Sequence, residues 1–164
     1  RVPAERIVLA GERAAGLPGA EAGACVQAVE GEAFSAIMEE ISEWGEILLI
    51  VHTPDAIIEC AGPLPKGSFG RGFFNLGPGS PIRGHIRAEN CADICLVRRP
   101  FMGMETCSVQ FFNTYGNAMF KIFVSRNEDE QLKPEQVERF EALRRKYGEG
   151  AAAASARPAQ LTGA

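Results

Sequence analysis

Only two histidines occur in the 164 residues, and one stands in the stretch PIRGHIR between two arginines. If that stretch is extended, side chains alternate between faces, so Arg83, His85 and Arg87 share one side and Ile82, Gly84 and Ile86 the other. The result is a cationic stripe with a metal-capable imidazole at its centre. In a chain of formal charge -4, such a cluster expects an anion, unless it is a solvated sheet face paired with Asp and Glu. The other histidine, His52, ends the run EILLIVH on the parity of Leu48 and Ile50, opposite Ile47, Leu49 and Val51. Both faces of that strand are apolar. His52 therefore reads first as a core residue bonded to a backbone carbonyl, with a ligand role as the alternative.

Other chemistries find little support. Two histidines are too few for a closed zinc site without thiolates or carboxylates, and no HExxH spacing is present. No serine sits in a GxSxG turn. Cys91 and Cys95 would face the same side of a strand but lack a CxxC or a neighbouring histidine. Five cysteines form no paired framework and read as reduced thiols. The glycine-rich stretch GPLPKGSFGRGFFNLGPGSPIRG lacks GxxxxGK[ST] and leads into no helix, so its glycines and its prolines at 63, 65, 78 and 81 are read as turns framing something large.

The elements that must position these residues follow from periodicity. GEAFSAIMEEISEW places Phe34, Ile37, Met38, Ile41 and Trp44 on one helical face, and Gly45 stops it. Strands are predicted at 46–52, 56–61, 71–76, 82–88, 93–99, 105–112 and 117–125, separated by Gly, Pro, Asn and Asp. Without intervening helices they must pair antiparallel. HTPDA and the centre of FFNTYGNAMF predict tight hairpins. A last helix, KPEQVERFEALRRKYG, opens on Pro134 and closes on basic residues and Gly148, with Val137, Phe140 and Leu143 facing a sheet. Residues 1–29 support at most a weak helix around 4–15. Residues 30–148 form the domain, and 149–164 read as a low-complexity tail.

With 46% hydrophobic and 23% charged residues, the composition is that of a globular domain able to bury one core. The acidic balance disfavours a nucleic-acid partner. No apolar run reaches membrane-spanning length and RVPAERIVLAGER does not read as a signal segment, so the expected location is the cytoplasm with no membrane insertion. The remaining inventory is two imidazoles, the cations Arg83, Arg87, Lys66 and Arg71, and phenylalanines at 73, 74, 111, 112, 120 and 123. An iron porphyrin asks for this combination: a neutral nitrogen for the metal, cations for two propionates and apolar walls for the ring. With no CxxCH, binding would be noncovalent.

The strings VHT, GRGFFNL, GHIRAEN, RPFMG, SVQFFN and AMFKIFV, spread over residues 30–147, closely resemble the intracellular heme-utilization carriers of the ChuX and HutX type. The resemblance implies an α+β fold, an antiparallel sheet of about seven or more strands with flanking helices, similar to one half of the HemS-type heme proteins. It implies a homodimer whose cleft takes up heme b as cargo, with His52 and His85 in the strings implicated in heme binding. Because axial ligation varies among such carriers, Tyr115 is a further candidate ligand. The implied role is to hold heme in the cytosol and hand it to a downstream heme-accepting or heme-degrading enzyme. A heme-degrading activity of the chain itself, or a dimeric interaction protein that takes no heme, are the competing readings.

Overall fold

The computed structural model describes residues 25–155. In chain order the strands are β1 (Cys25–Glu30), β2 (Glu46–His52), β3 (Ile57–Pro63), β4 (Gly67–Gly70), β5 (Phe73–Leu76), β6 (His85–Ile86), β7 (Cys91–Phe101), β8 (Met104–Asn113) and β9 (Ala118–Phe123). The helices are α1 (Phe34–Ser42), between β1 and β2, and α2 (Pro134–Ser155), after β9. Six strands form one antiparallel sheet in the order β1-β7-β8-β9-β2-β3, and β4-β5-β6 form a second. The α+β class and the antiparallel pairing are as expected from the sequence.

Both predicted hairpins form. In the first, His52 pairs with Ile57, and the Thr53 hydroxyl accepts the N–H groups of Asp55 and Ala56. In the second, Asn113 Oδ1 accepts the N–H groups of Tyr115 and Asn117, as an Asx turn does.

Most strand limits shift by one or two residues; four larger differences have a physical reason. β1 falls at the end of the segment for which the sequence supports at most a weak helix, yet Val26 and Ala28 alternate with Gln27 and Val29, and pairing with β7 completes that strand's second edge. β4 was read as turn. There Gly67 lies so close to Phe74 that a Cβ would come within 2.2 Å of the ring. The stretch expected as a strand at 82–88 contracts to the two residues of β6, because Leu76 N–H already bonds Gly84 O and a 3-10 turn begins at Ala88. Finally, α2 runs past Gly148 to Ser155 through an alanine run of high helical propensity. The weak helix around 4–15 lies outside the described residues.

The core sits between one face of the large sheet and a layer made of α1, α2 and the small sheet. Phe34, at the start of α1, meets Phe74 of the small sheet edge-on at 5.3 Å and Phe111 of β8 at 5.5 Å, while Phe111 stacks on Phe120 at 4.3 Å. Ile37, Met38 and Ile41 of α1 and Phe140 and Leu143 of α2 complete this buried cluster. A polar clamp holds the layers in register. The Gln136 side chain, 1% exposed, donates to the carbonyls of Trp44 and Glu46 and accepts the Ser125 N–H. No helix among the described residues is long and apolar enough to cross a membrane.

Candidate functional site

The small sheet has one face in the core and one facing outward. Phe74 and Ile86 pair on the inner face, while Asn75 pairs with His85 on the outer one. Ile82 is buried and Gly84 and Ile86 are half-buried, whereas Arg83, His85 and Arg87 are exposed, so the alternation read from PIRGHIR is present. His85 Nδ1 lies 2.7 Å from Asn75 Oδ1. The imidazole meets the edge of Phe73 at 5.9 Å, and the Arg87 guanidinium stacks over the same ring at 4.5 Å, a cation–π contact that holds the charge beside the histidine. Phe69, 65% exposed, adds a further aromatic surface against Phe74.

His52 keeps the parity expected of it but not the burial. Leu49 and Val51 pack into the core, and His52 stands exposed at the strand end. Beside it Ile57 and Ile58 are 60% and 62% exposed, so the imidazole borders an apolar surface.

Topology brings this residue to the same end of the molecule as the small sheet, but its parity turns the side chain to the face of the large sheet opposite the core and the small sheet. Cys91, the first residue of β7, pairs with Asn113, the last of β8. β9 starts and β2 finishes at that end. Three strand spacings, about 14 Å, separate β7 from β2, and only residues 86–90 separate His85 from Cys91. Tyr115, 89% exposed, tips the β8–β9 turn at the same end. Arg71 is there too, exposed in the β4–β5 turn beside Phe73, where Arg71 and Gly72 both take positive φ, 52° and 80°, the geometry of a two-residue hairpin.

Lys66 is placed elsewhere. Its ammonium pairs with Glu43 just beyond α1 at 3.0 Å, and this hydrogen bond raises the lysine and lowers the carboxyl from their ordinary values. The two neighbouring thiols are also separated. A bulge between Cys91 and Asp93 reverses the parity, so Cys91 joins the main core while Cys95 packs with Val97 and Phe112 on the opposite face. The same-side placement expected of Cys91 and Cys95 is thus corrected. No cluster of three His, Cys, Asp or Glu occurs among the described residues.

A recess of about 140 Å³ opens among Phe69, Gly70, Phe73, Ala88 and Glu89, below the roughly 300–1,000 Å³ of enclosed small-molecule sites. A larger one of about 590 Å³, bordered by Met104, Arg126, Leu132 and Glu138, lies at the opposite end of β7; no histidine lines either recess. The donor set suits heme on the outer face of the small sheet, beside the first recess: an exposed imidazole, guanidinium groups on both sides of it and the Phe73 ring. Sequence reasoning did not single out Asn75. A strand-disfavoured amide directly after two phenylalanines in GFFNL was the available signal.

A model of the family described as haem utilisation ChuX/HutX matches residues 27–143. The intracellular heme transport protein HutX of Vibrio cholerae is 38% identical over 123 residues, which cover 74% of this chain and 64% of HutX; the chain thus spans just under two thirds of that relative. The structure of the heme-binding protein ChuX superposes with a TM-score of 0.70 at 45% identity, over 74% of this chain and 76% of ChuX. The heme-degrading enzyme ChuS of Escherichia coli O157:H7 superposes with a TM-score of 0.64 at 18% identity, over 87% of this chain and 48% of ChuS. At that identity the likeness is one of fold, that of one half of a larger heme protein. Over residues 27–143 this chain belongs to the haem utilisation ChuX/HutX family.

Proposed function

We propose that the chain is a cytoplasmic heme carrier that holds heme b noncovalently and passes it to a heme-accepting or heme-degrading enzyme. The observation that carries this reading is the outer face of the small sheet, where His85 stands exposed between Arg83 and Arg87 with Phe73 against it. The names of HutX and ChuX support it. Bound heme would supply an iron that takes a neutral nitrogen and two propionates that take cations. His85 or His52 provides the nitrogen, with Tyr115 as the further candidate. Arg83, Arg87 and Arg71 neutralise the propionates; Lys66 joins them only by leaving Glu43. Phe73 beside His85 and Ile57 beside His52 keep water from the ring.

The recess of one copy is too small to enclose a macrocycle, which favours a homodimer whose second copy supplies the other wall. Heme titration followed at the Soret band tests the assignment. Wild type should saturate stoichiometrically, each single histidine-to-alanine variant should weaken binding, and the double variant should abolish most of the Soret shift. A double variant that titrates like wild type would remove both histidines from the site. Sedimentation should show a dimer, and acid–acetone should extract the heme intact, as noncovalent binding requires. Heme-loaded protein given reductant under oxygen should keep its Soret band; bleaching would mark degradation instead.

A further inference from the structure

We propose that Asn75 is a positioning residue: it fixes which nitrogen of His85 carries the proton and so presents Nε2 as the iron-binding atom. The inference deepens the heme-carrier reading and rests on it for the iron, but its first half concerns the protein alone.

The argument is one of donors and acceptors. Asn75 Nδ2 lies 3.3 Å from Ser68 O, 3.1 Å from Gly70 O and 3.3 Å from Phe73 O. Carbonyl oxygens only accept, so the atom turned toward them must be the NH2 group, whose two hydrogens these three acceptors share. The amide cannot flip without setting its own oxygen against three others. Its Oδ1 is thereby committed to His85 Nδ1 at 2.7 Å, and an amide oxygen also only accepts. The proton of that bond must therefore sit on Nδ1. A neutral His85 then has its lone pair on Nε2, the reverse of the tautomer that predominates in free histidine.

The lock is built by the hairpin. Ser68 and Gly70 belong to β4, Phe73 and Asn75 to β5, and the Arg71–Gly72 turn between them curls the backbone so that its carbonyls converge on one amide. The strand register then sets Asn75 opposite His85. A metal-binding histidine ordinarily donates its second N–H to such an acceptor, which orients the ring and strengthens the nitrogen as a ligand. Here the acceptor is in place in the protein by itself.

Two measurements test this. Long-range 1H–15N spectra of the heme-free protein at pH 8 should show His85 with a protonated Nδ1 and an unprotonated Nε2. Asn75→Ala, which removes the acceptor opposite Nδ1, should lose that pattern. A wild-type spectrum with the proton on Nε2 would overturn the inference. In the heme-loaded protein, Asn75→Ala should weaken heme binding about 10- to 100-fold. The reduction potential should be lower in wild type than in Asn75→Ala, because an acceptor on Nδ1 makes the imidazole a stronger donor to ferric iron. Equal potentials in the two would overturn the role toward iron, since a merely structural asparagine would alter affinity without moving the potential. If the tautomer pattern holds while His85→Ala binds heme with an unchanged Soret band, the ligand assignment fails and the protein-only half of the inference stands.

Discussion

Burial governs the chemistry of the individual side chains away from the small sheet. Desolvation, reinforced by the charge of Asp93, pushes the Cys91 thiol up to about 12, and desolvation pushes Cys107 up to about 11, so neither forms much thiolate near neutrality. Of Cys60, Cys91 and Cys107, iodoacetamide at pH 8 should therefore label half-buried Cys60 first and reach the other two only in denaturant; site-resolved mass spectrometry that finds Cys91 alkylated in the native protein would contradict this. Glu141 makes the opposite case. Burial alone would raise it, but hydrogen bonds and charge from Arg98 at 2.7 Å and Arg144 at 3.0 Å outweigh burial and lower it from 4.5. A carboxyl lowered on folding stabilises the protein above its unfolded value and loses that contribution as pH falls through the folded one. Wild type should thus melt higher than Glu141→Gln at pH 7, and the gap should close as the pH drops below about 4.5. At this scale the sequence was partly legible. The stripe of Arg83, His85 and Arg87 follows from a period of two, whereas the Asn75 partner depends on which strand lies opposite β6, and no local pattern states that.

Among the elements, the hairpins and α1 were legible because their signals are local: turn residues, a 3.6-residue apolar period and a glycine at Gly45 with φ 81° to end the helix. The bulge at Cys91 and the split into two sheets were not, because both arise from pairings between distant segments. β1 illustrates the limit, since six residues of mixed polarity become a strand only where β7 offers an edge. The contact that joins distant elements most economically is the Gln136 clamp. Gln136→Leu keeps the volume of the side chain but leaves the carbonyls of Trp44 and Glu46 and the Ser125 N–H without this partner. That should lower stability by about 2–4 kcal/mol, read as a fall in the urea midpoint. An unchanged midpoint would mean that other groups satisfy them.

For the molecule as a whole, Phe34 is the point where α1, the small sheet and the large sheet meet. Phe34→Ala should destabilise the fold by about 3–5 kcal/mol through lost burial and the cavity left behind, measurable by urea unfolding. If the loss were confined to the small sheet, hydrogen exchange would rise in β4–β6 alone; the shared core predicts a rise across both sheets. The order β1-β7-β8-β9-β2-β3 has one more consequence, for synthesis on the ribosome. β1 waits for Arg98, and β2, although it can pair early with β3, has no inner neighbour until Phe123 has been made. A nascent chain therefore carries the greasy EILLIVH segment without an inner neighbour while residues 53–123 are made, and the large sheet closes only when β9 slides in between β8 and β2.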